Sequence, residues 1–274
     1  MHLRDLLNME IKDFELERKR IEYLFQGQEF RMSSTSSKYT LKKYIASDFL
    51  KSPLRRTAIS IDDFIREYSR EWEYPSLMAL LFYCEMILNL LEIMEINPWT
   101  NGTVVTLRDR ILENVKIVLN KTGYCSDKGS DGIISIVKKD ALASAVIEDV
   151  TEVDVASAVL SYNRIEANGD IEGKQKLLFI IGKHVEPIIQ RYKEFEGLKY
   201  DVADDVRFGL NNLHVRHNNE EGKVAKPMLK QLSAAKLESA YDDLYRSMLL
   251  LIELEKYPEA HERIKKLRKS INVG

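Results

Sequence analysis

Residues 204–219 concentrate the side-chain types best suited to chemistry on a phosphate. At about 100° per residue of an α-helix, Arg207, Asn211, His214 and Asn218 fall within a narrow arc of one face. Val202, Val206, Leu210 and Leu213 form the adjacent apolar stripe. A guanidinium grips phosphate oxygens in a bidentate way, a carboxamide both donates and accepts, and an imidazole moves a proton near neutral pH. Asn218 and Asn219 are weak helix formers, so the helix is expected to fray there and to present Arg216 and His217 at its end. Either His214 or His217 can be the proton-transfer residue. The competing reading of such a stripe is a hydrogen-bonded structural network or a solvated face.

Other chemistries lack their usual signatures. Gly-rich phosphate loops, HExxH, paired CxxC and GxSxG are absent from the sequence. The two cysteines, Cys84 and Cys125, lack zinc-site spacing and are too few for a disulfide framework. No metal or cofactor is expected, and Cys84 reads as a buried reduced thiol. His184, between Ile181 and Val185, is expected to be a packed histidine. Glu85 and Glu92, in an apolar helix, are expected to pair with a buried Arg or Lys.

A net charge of −2 excludes a globally basic nucleic-acid coat. One window is basic: Lys38, Lys42, Lys43, Lys51, Arg55 and Arg56 stand against Asp48 within residues 38–57. A solvated face is its first reading and nucleic-acid contact its second. The most apolar stretch, Tyr74 to Ile96, carries Glu85, Glu92 and Glu95 and reads as a core helix rather than a membrane span. The N-terminus becomes charged at Arg4 and Asp5 without an apolar signal core, so the cytoplasm is the expected address.

The elements that must hold these residues are helical. Hydrophobic residues at 45% and charged residues at 31% fit a folded chain, and 12 Gly with 6 Pro leave few breaks. Leu6, Leu7, Ile11, Phe14, Ile21 and Leu24 predict a helix across 3–25, followed by a loop at 33–37. Ser60 with Asp62 and Asp63 starts a helix to Trp72. Pro75, in a first turn, opens one to about Ile96, and Thr103 caps one through Lys121. Gly123, Gly129 and Asp131-Gly132 around Ile133–Val137 predict a small β-hairpin.

Helices resume at 139–149. Thr151 to Asp154 resembles a capping box for a helix to Ala167. Asp170 caps a long helix to Phe195, and Asp201 opens one through Asn218. Two last helices are predicted, across Ala234–Glu255 and from Pro258 onward. The reading is an all-α chain with an N-terminal helical extension, residues 1–70, and a helical domain, residues 71–274, that carries the hairpin as an insertion.

Arg207 and His214 match the Arg-x(4–6)-His pattern of HEPN domains. The block Asn211–Asn219 resembles the Arg-His-Asn block of abortive-infection-like bacterial proteins. Ser161-Tyr162-Asn163, Gly169-Asp170-Ile171-Glu172-Gly173-Lys174 and His184-Val185-Glu186-Pro187 are similar to segments of the same group, so the resemblance covers about residues 74–256. Phe208 departs from it, standing where a polar residue usually follows the arginine. The resemblance implies a HEPN-like helical bundle of phage-defence or toxin type. It also implies a homodimer with the Arg and His at its interface, and metal-independent cleavage of RNA. His214 would transfer the proton, Arg207 would clamp the phosphate and Asn211 would orient one of them, with Arg216, His217 and Asn218 in binding roles. Many members of the group are not catalytic, which makes a helical interaction or antitoxin-like module with a protein partner the alternative. A third reading places the activity in residues 1–70, through the basic window.

Overall fold

Ser60, Ser76, Asp140 and Asp170 each sit just outside helical backbone and accept a backbone N–H of the following turn, which starts a helix. The computed structural model describes residues 11, 13–31, 37–70, 72, 75–96, 102–192, 198–216 and 232–271. It is mostly helical, with two small antiparallel hairpins. The chain divides into two compact units, residues 1–139 and 140–274.

In the first unit, α1 (Phe14–Glu22) continues into a π-helical turn at Tyr23–Gly27. A two-residue hairpin pairs β1 (Phe30–Arg31) with β2 (Lys38–Tyr39), and α2 (Leu41–Tyr44), α3 (Ala46–Lys51) and α4 (Ile61–Tyr68) follow. The centre is α5 (Leu77–Glu92), whose Leu80, Leu81, Met86, Ile87, Leu90 and Leu91 are all buried. Then come α6 (Gly102–Thr122) and the predicted hairpin of β3 (Tyr124–Lys128) and β4 (Ile134–Lys138), in the register Tyr124↔Lys138 to Lys128↔Ile134. The division falls at residue 139. Helix α1 packs on α5 and α6, and Ile21, Phe25, Leu41 and Ile45 are fully buried in this unit's core.

Glu85 is buried in α5. Its carboxylate accepts the Tyr68 hydroxyl at 2.9 Å and the Ile136 N–H at 2.6 Å, fastening α4 and β4 to α5. Glu92 pairs with a base, Lys128, at the surface. Cys84 is buried, and that burial pushes its thiol pKa up.

The second unit runs α7 (Ala141–Asp149), α8 (Val153–Tyr162), a 3-10 turn at Ile165–Ala167, α9 (Ile171–Arg191), α10 (Leu198–Asn212) and α11 (Ala234–Ile271). Its core joins Val146, Val159, Leu178, Ile181, Val185, Val206, Leu210, Met248 and Leu249. The capping box at 151–154 does not form. Thr151 donates to the Glu152 carboxylate instead, at 3.1 Å, and α8 starts with no side-chain cap. The break expected at Pro258 is also missing, and α11 runs through it. Pro258 is exposed, as are most residues beyond it, so the Leu254 carbonyl deprived of a partner lies where water is close. Among the described residues no helix is long and apolar enough to cross a membrane.

Candidate functional site

Two glycines let α10 lie close to its neighbours. A Cβ on Gly182 of α9 would meet Leu210 Cδ2 at 2.7 Å, and one on Gly209 would meet Leu244 Cδ1 of α11 at 2.6 Å. Val202, Val206 and Leu210 fill the seam and are buried. The outer face of α10 carries Arg207 and Phe208, the latter 65% exposed.

The helix ends at Asn212, six residues before the expected Asn218. Leu213 N–H still bonds the Gly209 carbonyl at 3.0 Å, but His214 adopts φ 62°. This left-handed conformation is one that histidine tolerates better than most side chains. The Arg216 N–H then returns to the Leu210 carbonyl at 3.0 Å and Val215 is buried. The expected single helical arc of Arg207, Asn211 and His214 therefore breaks before His214, which sits on the closing turn. His217 and Asn218, the remaining binding candidates, lie outside the described residues.

Residues from α9 complete the cluster. Arg216 Nη2 pairs with Glu186 Oε1 at 2.5 Å, and its Nη1 donates to Asn211 Oδ1 at 3.1 Å. Gln175 Nε2 donates to the His214 carbonyl at 2.5 Å. Arg207 pairs with Asp204 one turn back, both side chains being nearly half exposed. The guanidinium of Arg216 is thus oriented on two sides, while that of Arg207 stays at the surface. Gln175 and Glu186 were not read as site residues. Their signal was the helical spacing of Gln175, Gly182 and Glu186, which places them on one face of α9, but nothing in the sequence paired that face with α10.

A polar core lies elsewhere in the same unit. The Lys174 amine, 4% exposed, reaches Glu238 Oε1 at 2.8 Å and Asp242 Oδ1 at 2.7 Å. Tyr162 donates its hydroxyl to Asp242 at 2.9 Å and stacks on Tyr245 with ring centroids 4.0 Å apart. Asn163 Nδ2 donates to the Tyr245 hydroxyl at 2.7 Å. Burial, and for Tyr162 also the Asp242 carboxylate, pushes both tyrosine pKa values well up. Tyr162, Asn163 and Lys174 thereby tie α8 and α9 to α11.

His184 is not the packed histidine expected. It lines a cleft of about 380 Å³ with Asp149, Thr151, Glu152, Arg191 and Lys256. Its Nδ1 lies 3.3 Å from Glu152 Oε1. The carboxyl of Glu152 is held below its usual range by its own backbone N–H, the Thr151 hydroxyl and His184. Arg191 and Lys256 face Glu255 and Asp149, so the cleft offers no surplus of positive charge. Among the described residues no three His, Cys, Asp or Glu side chains converge as a metal-binding group. No family model, no curated protein and no solved structure matches this chain.

Proposed function

We propose that the chain is a HEPN-like, RNA-directed protein of phage-defence or toxin type, acting in the cytoplasm as a metal-independent endoribonuclease. The observation that carries this reading is the oriented guanidinium of Arg216 two residues from His214, on the turn that closes α10. His214 accepts the proton of a ribose 2′-hydroxyl as its oxygen bonds to phosphorus. The bond from phosphorus to the 5′-oxygen breaks, and that oxygen leaves with a proton from solvent water, whose loss the protonated His214 makes good. Arg216 and Arg207 bind the phosphate oxygens, and Asn211 holds Arg216 in place. His217 is the alternative proton-transfer residue, with Asn218 beside it.

A homodimer is part of the proposal. Helix α11 leaves Tyr257, Ile264 and Leu267 57%, 50% and 59% exposed. With Ala260 they repeat at alternating spacings of three and four residues, the seam of a coiled coil. Residues 253–262 carry Glu253, Glu255, Glu259 and Glu262 against Lys256, and residues 263–269 carry Arg263, Lys265, Lys266, Arg268 and Lys269 with no acid. An antiparallel second copy matches both the seam and the charges.

The test is cleavage of total and transfer RNA in EDTA by the wild type, Arg207→Ala, His214→Ala and His217→Ala, each checked for folding. The expected result is cleavage that survives EDTA and falls at least about 100-fold in one histidine variant. Wild-type cleavage in both histidine variants overturns the catalytic assignment. The second reading, a non-catalytic interaction or antitoxin-like module, is favoured by one feature: both Arg207 and Arg216 already face carboxylates. A folded wild type that leaves every RNA intact decides for it.

A further inference from the structure

Arg56 holds a backbone conformation that suits glycine better than arginine. It occupies the first central position of the turn Arg55–Ala58, which the Ala58 N–H closes on the Arg55 carbonyl at 2.9 Å. Its φ of 48° and ψ of −112° are those of a type II′ turn. Arg55 Nε donates to the Ala58 carbonyl at 2.8 Å and braces the turn. The surroundings impose this strain, a pattern that gathers at ligand-binding positions. It holds the exposed Arg56 side chain at a pocket of about 390 Å³.

The other walls of that pocket differ in chemistry. Phe64 and Tyr68 line it with stacked rings, centroids 5.7 Å apart, and the Tyr68 hydroxyl is fixed on Glu85 at 2.9 Å. Asp63 is occupied, accepting the Ile59 N–H at 3.0 Å and pairing with Arg66. Glu67 lines the pocket as an exposed carboxylate. Along the chain, residues 37–70 carry eight basic residues (Lys38, Lys42, Lys43, Lys51, Arg55, Arg56, Arg66, Arg70) against four acidic ones (Asp48, Asp62, Asp63, Glu67), of which Lys38 pairs with Glu29, Lys42 with Asp62 and Arg66 with Asp63.

We infer that this pocket is a binding slot for a guanine nucleotide, either within single-stranded RNA or free. The base packs on the exposed part of the Tyr68 ring, which Phe64 backs at 5.7 Å and Trp72 flanks edge-on at 5.5 Å, since an aromatic side chain takes any base. Arg56 takes the phosphate. The two oxygens of Glu67 accept the N1–H and the exocyclic amine of guanine, an edge of two adjacent donors. Adenine turns an acceptor toward the same carboxylate. The slot rests on the RNA-directed reading for its strand-bound form, but its chemistry is independent of the α10 turn.

Fluorescence anisotropy on the full chain tests it, using labelled 2′-O-methyl uridine oligonucleotides that carry one guanosine or one adenosine. Such strands lack the 2′-hydroxyl nucleophile, so binding is read apart from cleavage. The guanosine strand is expected to bind about fivefold tighter, with that preference lost in Glu67→Gln. In Arg56→Gly binding weakens about tenfold while the melting temperature rises, because glycine relaxes the turn. Competition by guanosine monophosphate at strand concentrations assigns the free nucleotide as ligand, and competition by the strand alone assigns RNA. Equal affinity for the two strands, or unchanged binding in Arg56→Gly, overturns the slot and leaves the histidine cleavage assay standing.

Discussion

Lys174 is a cation removed from water and held between Glu238 and Asp242. Burying a charge is favourable only when its partners replace the lost hydration. Here two carboxylates do so, and the Tyr162 ring lies 5.2 Å from the amine. Lys174→Met leaves two acids facing each other without their cation and lowers stability by about 2 kcal/mol, read as a shift of the urea midpoint. Nothing in the sequence separates Lys174 from its exposed neighbour Lys176, since its partners lie 64 and 68 residues further on. The same limit applied to Glu85, whose Ile136 partner is 51 residues away. Local pattern shows that a charge lies in an apolar helix, but only the fold shows what answers it.

Whole helices were more legible, because caps and apolar spacing are local signals. Ser60 and Asp170 start α4 and α9 where they were expected to, and the β-branched run at 133–137 gives β4. Helix ends were harder to read. Asn211 and Asn212 weaken α10 as Asn218 and Asn219 were thought to, and the earlier pair stops it, taking His214 off the predicted face. At the far end of the unit, α11 continues through Pro258 and carries its apolar seam beyond the core. Leu267→Glu places a charge in that seam. Light scattering at micromolar concentration is expected to give a dimer mass for the wild type and a monomer mass for the variant. A wild-type monomer removes the second copy from the proposal.

At the scale of the molecule, buried phenols set an alkaline limit. Tyr192 is pushed up to about 12 by burial and by the Glu255 carboxylate that its hydroxyl faces, whereas an unfolded tyrosine ionises near 10. Below about pH 10 both states keep the proton, and the contribution to stability is complete. Between about pH 10 and 12 the unfolded state loses its proton first, so stability falls as pH rises. Urea midpoints measured from pH 8 to 11.5 should decline above about 10, and less steeply in Tyr192→Phe. The all-α class and the hairpin could be read from composition and periodicity. The boundary at residue 139 could not, since the burial of Ile21 and Phe25 against α5 and α6 is a long-range fact.

The pairing of Lys174 with α11 also sets an order of events during synthesis. Each unit is one continuous stretch of chain, and domains tend to fold as they leave the ribosome, N-terminal first. Residues 1–139 can therefore complete their core while the rest is still being translated. The second unit cannot, because Glu238, Asp242 and the Leu244 that packs over Gly209 arrive last. A chain that has not yet reached α11 carries Arg207 and His214 without the helix that packs over Gly209, so whatever the closing turn of α10 does must wait until α11 has emerged.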